Sequence, residues 1–243
     1  MSSERDTRGV GFTIVEILVA ILAVVVVILV LLPGMLNVGH RYNGERSSST
    51  TLKTLTSAEA DFRANDRDWN RINDFWTADV KGLYTMTSAA VRGAEANSTV
   101  DPAIKLIELS VASADADGTF YAAGGENLPL SSFAIPSAKG GYWFAALTAD
   151  LSTGQIYRQD TGGKIPMGNC HHESIFGFVA YPDSQAAGKY IYLVNQNNTI
   201  FRSNLPLRSW NHAINPPGLS TVPAGCIDWP ADETLKSYWA KVD

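Results

Sequence analysis

Cysteine is nearly absent from this chain, with only Cys170 and Cys226 among 243 residues. The closely spaced cysteine and histidine pairs of structural zinc sites are therefore missing. Long basic runs are missing too. Arg41, Arg46, Lys53, Arg63, Arg67 and Arg71 alternate with Glu45, Glu59, Asp61, Asp66, Asp68 and Asp74, and the formal charge is -5 with a pI near 5.4. A nucleic-acid surface needs clustered cations to meet phosphates, so none is indicated. No nucleophile elbow, phosphate-binding loop or zinc-protease helix occurs, and any Ser–His–Asp grouping drawn from the sequence would be arbitrary. These gaps argue against an enzyme. Charged residues amount to 18% and apolar ones to 45%, a balance that suits an ordered body rather than a disordered chain. One membrane segment plus one soluble domain of roughly 150–200 residues is the expectation at this length.

Glycine and proline are lacking from one place in particular. Phe12–Leu32 is a stretch of 21 residues that holds neither and carries a single charge, Glu16. A helix of that length rises ~31 Å, close to the ~30 Å of bilayer hydrocarbon, so a transmembrane helix is expected. A secretory signal peptide is the rival. Its apolar region would span ~7–15 residues and lead to a small-residue cleavage site, whereas Leu32 is followed by Pro33, Gly34, Met35 and Leu36. Glu16 would cost ~2.5–3.5 kcal/mol in mid-bilayer and less near an interface. It either lies at headgroup level or has a partner. Pro33 removes a helix hydrogen bond and clashes with the preceding turn, so it should kink the first helical block or end it.

The neighbours of Glu16 give it a context. In "RGVGFTIVE", Gly11 stands directly before Phe12, and Glu16 is the fifth residue counted from Phe12. This resembles the type IV pilin and pseudopilin family, whose members join a short charged leader and a Gly to an aromatic residue, a Glu in fifth place and a long apolar helix. A Pro at the depth of Pro33 is frequent in that family. The resemblance implies cleavage between Gly11 and Phe12 by a prepilin peptidase and methylation of the new Phe12 amine. Glu16 would then neutralise the terminal amine of an adjoining subunit, since opposite charges attract strongly in a low-dielectric bundle and each alone would be costly. Arg5 and Arg8 in the leader favour its cytoplasmic placement. The organisation implied is a leader at 1–11, a transmembrane and filament-core helix at 12–33, a helix continuation or stalk at 34–63, and a periplasmic or extracellular domain at 64–243. Implied partners are the peptidase, copies of the chain, other pilins and an inner-membrane assembly platform. The rival function is a single-pass anchored binding or sensor domain that never polymerises.

Beyond the apolar run, Leu52, Leu55, Ala58 and Phe62 recur at helical spacing and predict an amphipathic helix. Residues 35–50, with Gly39 and Gly44, continue that helix imperfectly or form a stalk. Residues 64–84 read as an irregular segment whose aromatics Trp69, Phe75, Trp76 and Tyr84 anchor to a core. A second helix is predicted over 101–112, with Asp101 as N-cap, Pro102 in the first position and Ile104, Leu106, Ile107 and Leu109 as its stripe. Short aromatic or β-branched segments at 141–148, 155–159, 175–182, 190–194 and 199–202 predict strands, with a hairpin turn at Asn195–Asn198. Helix first and antiparallel sheet later is an α+β arrangement. It agrees with the pilin-like design of a long N-terminal transmembrane helix packed on a C-terminal sheet domain. The strands also resemble the C-terminal part of a family of uncharacterised bacterial secreted proteins (the DUF2950 type), which implies no activity.

A domain placed beyond the inner membrane, as the pilin resemblance implies, meets oxidising conditions, and Cys170 and Cys226 would then pair. The bridge would close a long loop over the last strands, at ~3–4 kcal/mol by the chain-entropy estimate, as pilins often staple this region. "NCHHES" raises a metal reading with Cys170, His171, His172 and Glu173, and with His212 and Cys226 further on, but adjacent residues seldom all face one ion. The better fit is a disulfide flanked by surface histidines. "SADADGTFYAAGGE" places Asp115 and Asp117 where a calcium loop would use them, yet Gly124 stands where the closing Glu belongs. An ordinary Asp/Gly turn fits better, and no cofactor is expected.

Overall fold

The computed structural model describes residues 13–67, 71–85, 105–116, 134–159, 171–184, 186–204 and 228–242. They fall into two units, Met1–His40 and Arg41–Asp243. Helix α1 spans Ile14–Asn65. Its side-chain surroundings are described for Ile14–Leu29, for Gly39 and from Arg41 onwards.

From Arg41 onwards α1 is amphipathic, and one face is buried. Leu52, Leu55 and Phe62 are wholly inaccessible to solvent and Ala58 nearly so, at spacings that return to the same side of the helix. Thr56 also faces inward and satisfies its hydroxyl on the Leu52 carbonyl at 3.0 Å, the back-bond that lets a hydroxyl lie on a helix. Gly44 has a steric reason. A Cβ there would stand 2.6 Å from the Gly140 carbonyl oxygen, so the helix approaches that turn more closely than any side chain allows. The helix ends at Asn65 because Asp66 turns left-handed, with φ at 45°. The Arg67 N–H then donates back to the Phe62 carbonyl at 3.3 Å, a Schellman closure with Asp in the place Gly usually takes. Arg67 is fastened by a two-pronged contact to Asp61, at 2.9 and 3.1 Å.

The main sheet has five strands in the order β10-β8-β7-β6-β2, every neighbouring pair antiparallel. They are β2 (Tyr142–Ala146), β6 (Gly177–Pro182), β7 (Ile191–Asn195), β8 (Ile200–Ser203) and β10 (Ala240–Val242). Every residue of β2, β6 and β7 is buried. Such strands read as unbroken apolar runs because both faces are covered. Their side chains share one core with Leu52, Leu55 and Phe62 of α1. The β7–β8 turn forms as predicted. Asn198 adopts φ of 55°, its N–H donates to the Asn195 carbonyl at 2.9 Å, and the Asn195 side chain accepts from the Asn197 N–H at 3.1 Å.

Smaller pieces complete the unit. Strands β1 (Phe75–Trp76) and β5 (His171–His172) pair antiparallel. Strand β3 (Ala149–Asp150) lies between β4 (Gln155–Ile156), antiparallel, and β9 (Asp228–Trp229), parallel. Helices α2 (Gly82–Thr85), α3 (Leu109–Ala112) and α4 (Asp232–Tyr238) are short.

The α+β class with a mainly antiparallel sheet holds. The pilin-like version of it, a long transmembrane N-terminal helix packed on the C-terminal domain, does not. Among the described residues no helix is long and apolar enough to cross a membrane. From Arg41 the helix is polar on its outer face. The expected single-pass inner-membrane placement loses its support. The helix predicted over 101–112 is also corrected. Asp101, Pro102 and Ile104 lie outside the described residues, and of the described residues 105–112 only the single turn Leu109–Ala112 is helical.

The Gly44 contact carries a prediction. Gly44→Ala should cost about 1–3 kcal/mol of stability through overpacking, although it raises helix propensity. Gly39→Ala, where an added Cβ meets nothing within 4 Å, should cost nothing. Urea unfolding of both variants checks this, and equal midpoints would remove the close approach as the reason for Gly44.

Candidate functional site

Two regions hold groups placed for work: the start of α1 and a buried charge network beside its far end. At the start, Thr13 and Glu16 close on each other. Glu16 Oε2 accepts the Thr13 N–H at 2.8 Å and the Thr13 hydroxyl at 2.9 Å, while the Glu16 N–H donates to Thr13 Oγ1 at 3.2 Å. This is a capping box, which satisfies backbone donors that the first turn would otherwise leave open. The T-x-x-E spacing ahead of an apolar run is its sequence signal. These bonds hold the Glu16 carboxyl below its ordinary pKa. Oε1 makes no hydrogen bond among the described residues.

Above the cap the helix is apolar on every side, and every side is exposed. Ile14 is 78% accessible, Leu22 64% and Leu29 67%, and Ile17, Leu18, Ile21, Val25 and Ile28 are exposed between them. A helix that is hydrophobic all round belongs in an apolar surrounding. Patches this large on a free chain mark an interaction surface. Pro33 lies within the span of α1, not at its end, and its side chain is outside the description. Gly11 and Phe12, the expected processing pair, lie outside the described residues, as do Cys170, Cys226 and Asp117.

The second region gathers Glu59 of α1, the segment around β1 and α2, the turn after α3, and β5. Glu59, Asp74, Asp79, Lys81, Asp115 and His171 are all buried. Burying charge is expensive unless partners are supplied, and they are. Glu59 Oε2 accepts the Trp76 N–H at 3.0 Å. Asp79 Oδ1 accepts the Trp76 indole N–H at 3.0 Å and the Gly82 N–H at 2.7 Å. Asp115 Oδ2 accepts the Val80 and Lys81 N–H groups at 2.9 and 2.8 Å. Lys81 Nζ stands 3.3 Å from Asp79 Oδ2 and 3.5 Å from Asp115 Oδ2. His171 Nδ1 is 3.4 Å from Asp74 Oδ1, and its ring meets Trp76 edge-on with centroids 5.4 Å apart.

Asp115 was the calcium candidate, and the structure gives its carboxylate another role. Its Oδ2 is held by backbone N–H groups and an ammonium, which are donors that a cation would have to displace. Among the described residues no three His, Cys, Asp or Glu side chains gather as a metal site requires. His171 and His172 are buried in β5, not on the surface as expected. His172 Nδ1 accepts N–H groups of Ser174 and Ile175 at 3.0 and 3.1 Å, which fixes a neutral ring. Burial lowers its pKa, with Glu173 pulling the other way.

A polar cleft of about 410 Å³ opens where α1 faces the turn before β2, lined by Arg46, Thr50, Thr54, Glu108 and Lys139 among others. Lys139 and Glu108 pair there at 3.2 Å.

Glu59 yields a pH test. Burial raises its pKa well above the ordinary carboxyl value, the Trp76 N–H pulls it down, and Asp74 pushes it up again. A raised folded-state value means the contribution is fully present below the unfolded carboxyl pKa. It is lost as pH rises from there through the folded pKa, because the unfolded chain gives up its proton first. Glu59→Gln should therefore gain on the wild type as urea midpoints are taken from mildly acidic to mildly alkaline solution. A difference that does not change with pH would contradict a neutral buried Glu59.

No family model matches the chain, and neither a curated protein nor a solved structure matches it.

Proposed function

We infer that the chain is a structural subunit of a pilus-like or secretion-pseudopilus filament, matured by a prepilin peptidase between Gly11 and Phe12 and methylated at Phe12. Its apolar rod is covered by the rods of neighbouring copies. The single observation that carries this reading is the exposure of Ile14–Leu29 around the whole helix circumference. A partner bound on one side would cover one stripe, whereas a bundle of identical rods covers all of it. Head-to-tail contacts that do not close propagate such a bundle into a fibre.

Glu16 acts twice in this scheme. Oε2 caps its own helix, and Oε1 remains for the terminal amine of the next subunit, setting the stagger between copies. The two roles separate by substitution. Glu16→Gln keeps an acceptor for the cap and removes the charge, whereas Glu16→Ala removes both. If the charge sets the stagger, sheared filament recovered from cells falls about tenfold or more for both variants, as expected for losing a charge-assisted contact of ~1.5–3 kcal/mol. Filament from Glu16→Gln at the wild-type level would leave Glu16 as a cap alone and remove the register role.

A further inference from the structure

We propose that Lys81 and Asp115 condense into an intramolecular isopeptide cross-link, with Asp79 as the proton-transfer group. The observation is a lysine with a wholly buried side chain, set between two carboxylates that are equally buried. A structural ion pair needs one carboxylate for one ammonium. Among the described residues this ammonium meets two, and their hydrogen bonds differ in a way that suits the chemistry.

Asp115 is held as an acceptor for attack. Its Oδ2 receives two adjacent backbone N–H groups, from Val80 at 2.9 Å and Lys81 at 2.8 Å. Two fixed donors on one carboxyl oxygen withdraw charge from the carbon and stabilise an oxyanion there. Asp79 is held as a base. The Trp76 indole and the Gly82 N–H fix its Oδ1, while its Oδ2 faces the lysine nitrogen at 3.3 Å. The amine itself approaches Asp115 to 3.5 Å. All three groups are positioned before reaction, which supplies much of the entropy that such a step otherwise costs.

The step balances without any co-reactant. The Lys81 ammonium passes a proton to Asp79 Oδ2, Asp79 hands it on to Asp115 Oδ1, and the freed amine attacks Cγ of the neutral carboxyl group. The single tetrahedral oxyanion forms on Oδ2, facing the Val80 and Lys81 N–H groups. The nitrogen gives up its second proton, through Asp79, to Oδ1, and the C–O bond breaks. One C–N bond forms, one C–O bond breaks and one water leaves. In the product the amide oxygen keeps both backbone donors and the amide N–H faces Asp79. In water the equilibrium favours the separate acid and amine. Here condensation removes two buried opposite charges, each of which carries a desolvation penalty, and the water is expelled from a closed core. The link would join the segment before α2 to the turn after α3, on either side of the residues between them.

The test is the mass of the full wild-type chain, reduced and denatured, read from its measured N-terminus. The proposal predicts a mass short by one water, located in a branched tryptic peptide that joins Lys81 to Asp115. Asp115→Asn should lose ammonia in place of water and give a product of the same mass as wild type. Lys81→Arg, which keeps the cation but not the reactive amine, should have its full sequence mass. A wild-type chain of full mass overturns the proposal. So does a water loss that persists in Lys81→Arg, since it must then arise elsewhere, for example by ring closure at Asp117–Gly118.

Discussion

Water cannot be the final surrounding of Ile14–Leu29. The aliphatic side chains there point in every direction around the helix axis and stay exposed within the chain's own fold. Each such side chain gains about 1.5–3 kcal/mol when fully removed from water. The sum over a whole rod is far larger than the stability of an ordinary domain. In the proposed filament that imbalance is resolved by neighbouring copies, which can cover a cylinder on all sides at once. The Thr13–Glu16 cap gives the helix a fixed first turn, which in the proposed filament would serve neighbouring rods as a common reference for their stagger.

The same helix solves a different problem after Arg41. One stripe, from Leu52 to Phe62, is buried against the sheet side chains, and the opposite side is polar. Glu59 lies inside that stripe, its pKa raised by burial and its carboxyl bonded to the Trp76 backbone. It is the point where the helix core meets the buried charges of Asp74, Asp79, Lys81 and Asp115. Removing the Lys81 ammonium from such a set would leave two buried carboxylates without it, a loss of about 3–5 kcal/mol. The network thereby ties the short, irregular segments around β1, α2 and α3 to the regular part of the fold.

Much of this was legible in the residues. The central strands stood out because burial on both faces demands continuous apolar runs, and the Asn195–Asn198 turn because few side chains accept left-handed backbone. The stripe on α1 was legible as well, and so was the position of Glu59. It sits four residues after Leu55 and three before Phe62, on the buried side, and its charge hid that spacing. The capping box was written as Thr13-x-x-Glu16 and was overshadowed by the question of what a lone acid does in an apolar run. Asp115 and Lys81 were not legible as a pair. Their contact is made between distant segments, and no local pattern encodes a partner more than thirty residues away. The stripe from Ile104 to Leu109 misled for the same reason. Leu106 and Ile107 pack on the core from a bent chain, so apolar spacing there reflects tertiary contacts without helix.

The most direct test of the central claim is a helical reconstruction by electron cryomicroscopy of filaments sheared from cells that make the native chain. The account predicts Ile14–Leu29 bundled along the filament axis, with Glu16 of one copy beside the terminal amine of another. Filaments whose axis lacks these helices, or native material that stays monomeric at every concentration, would contradict it.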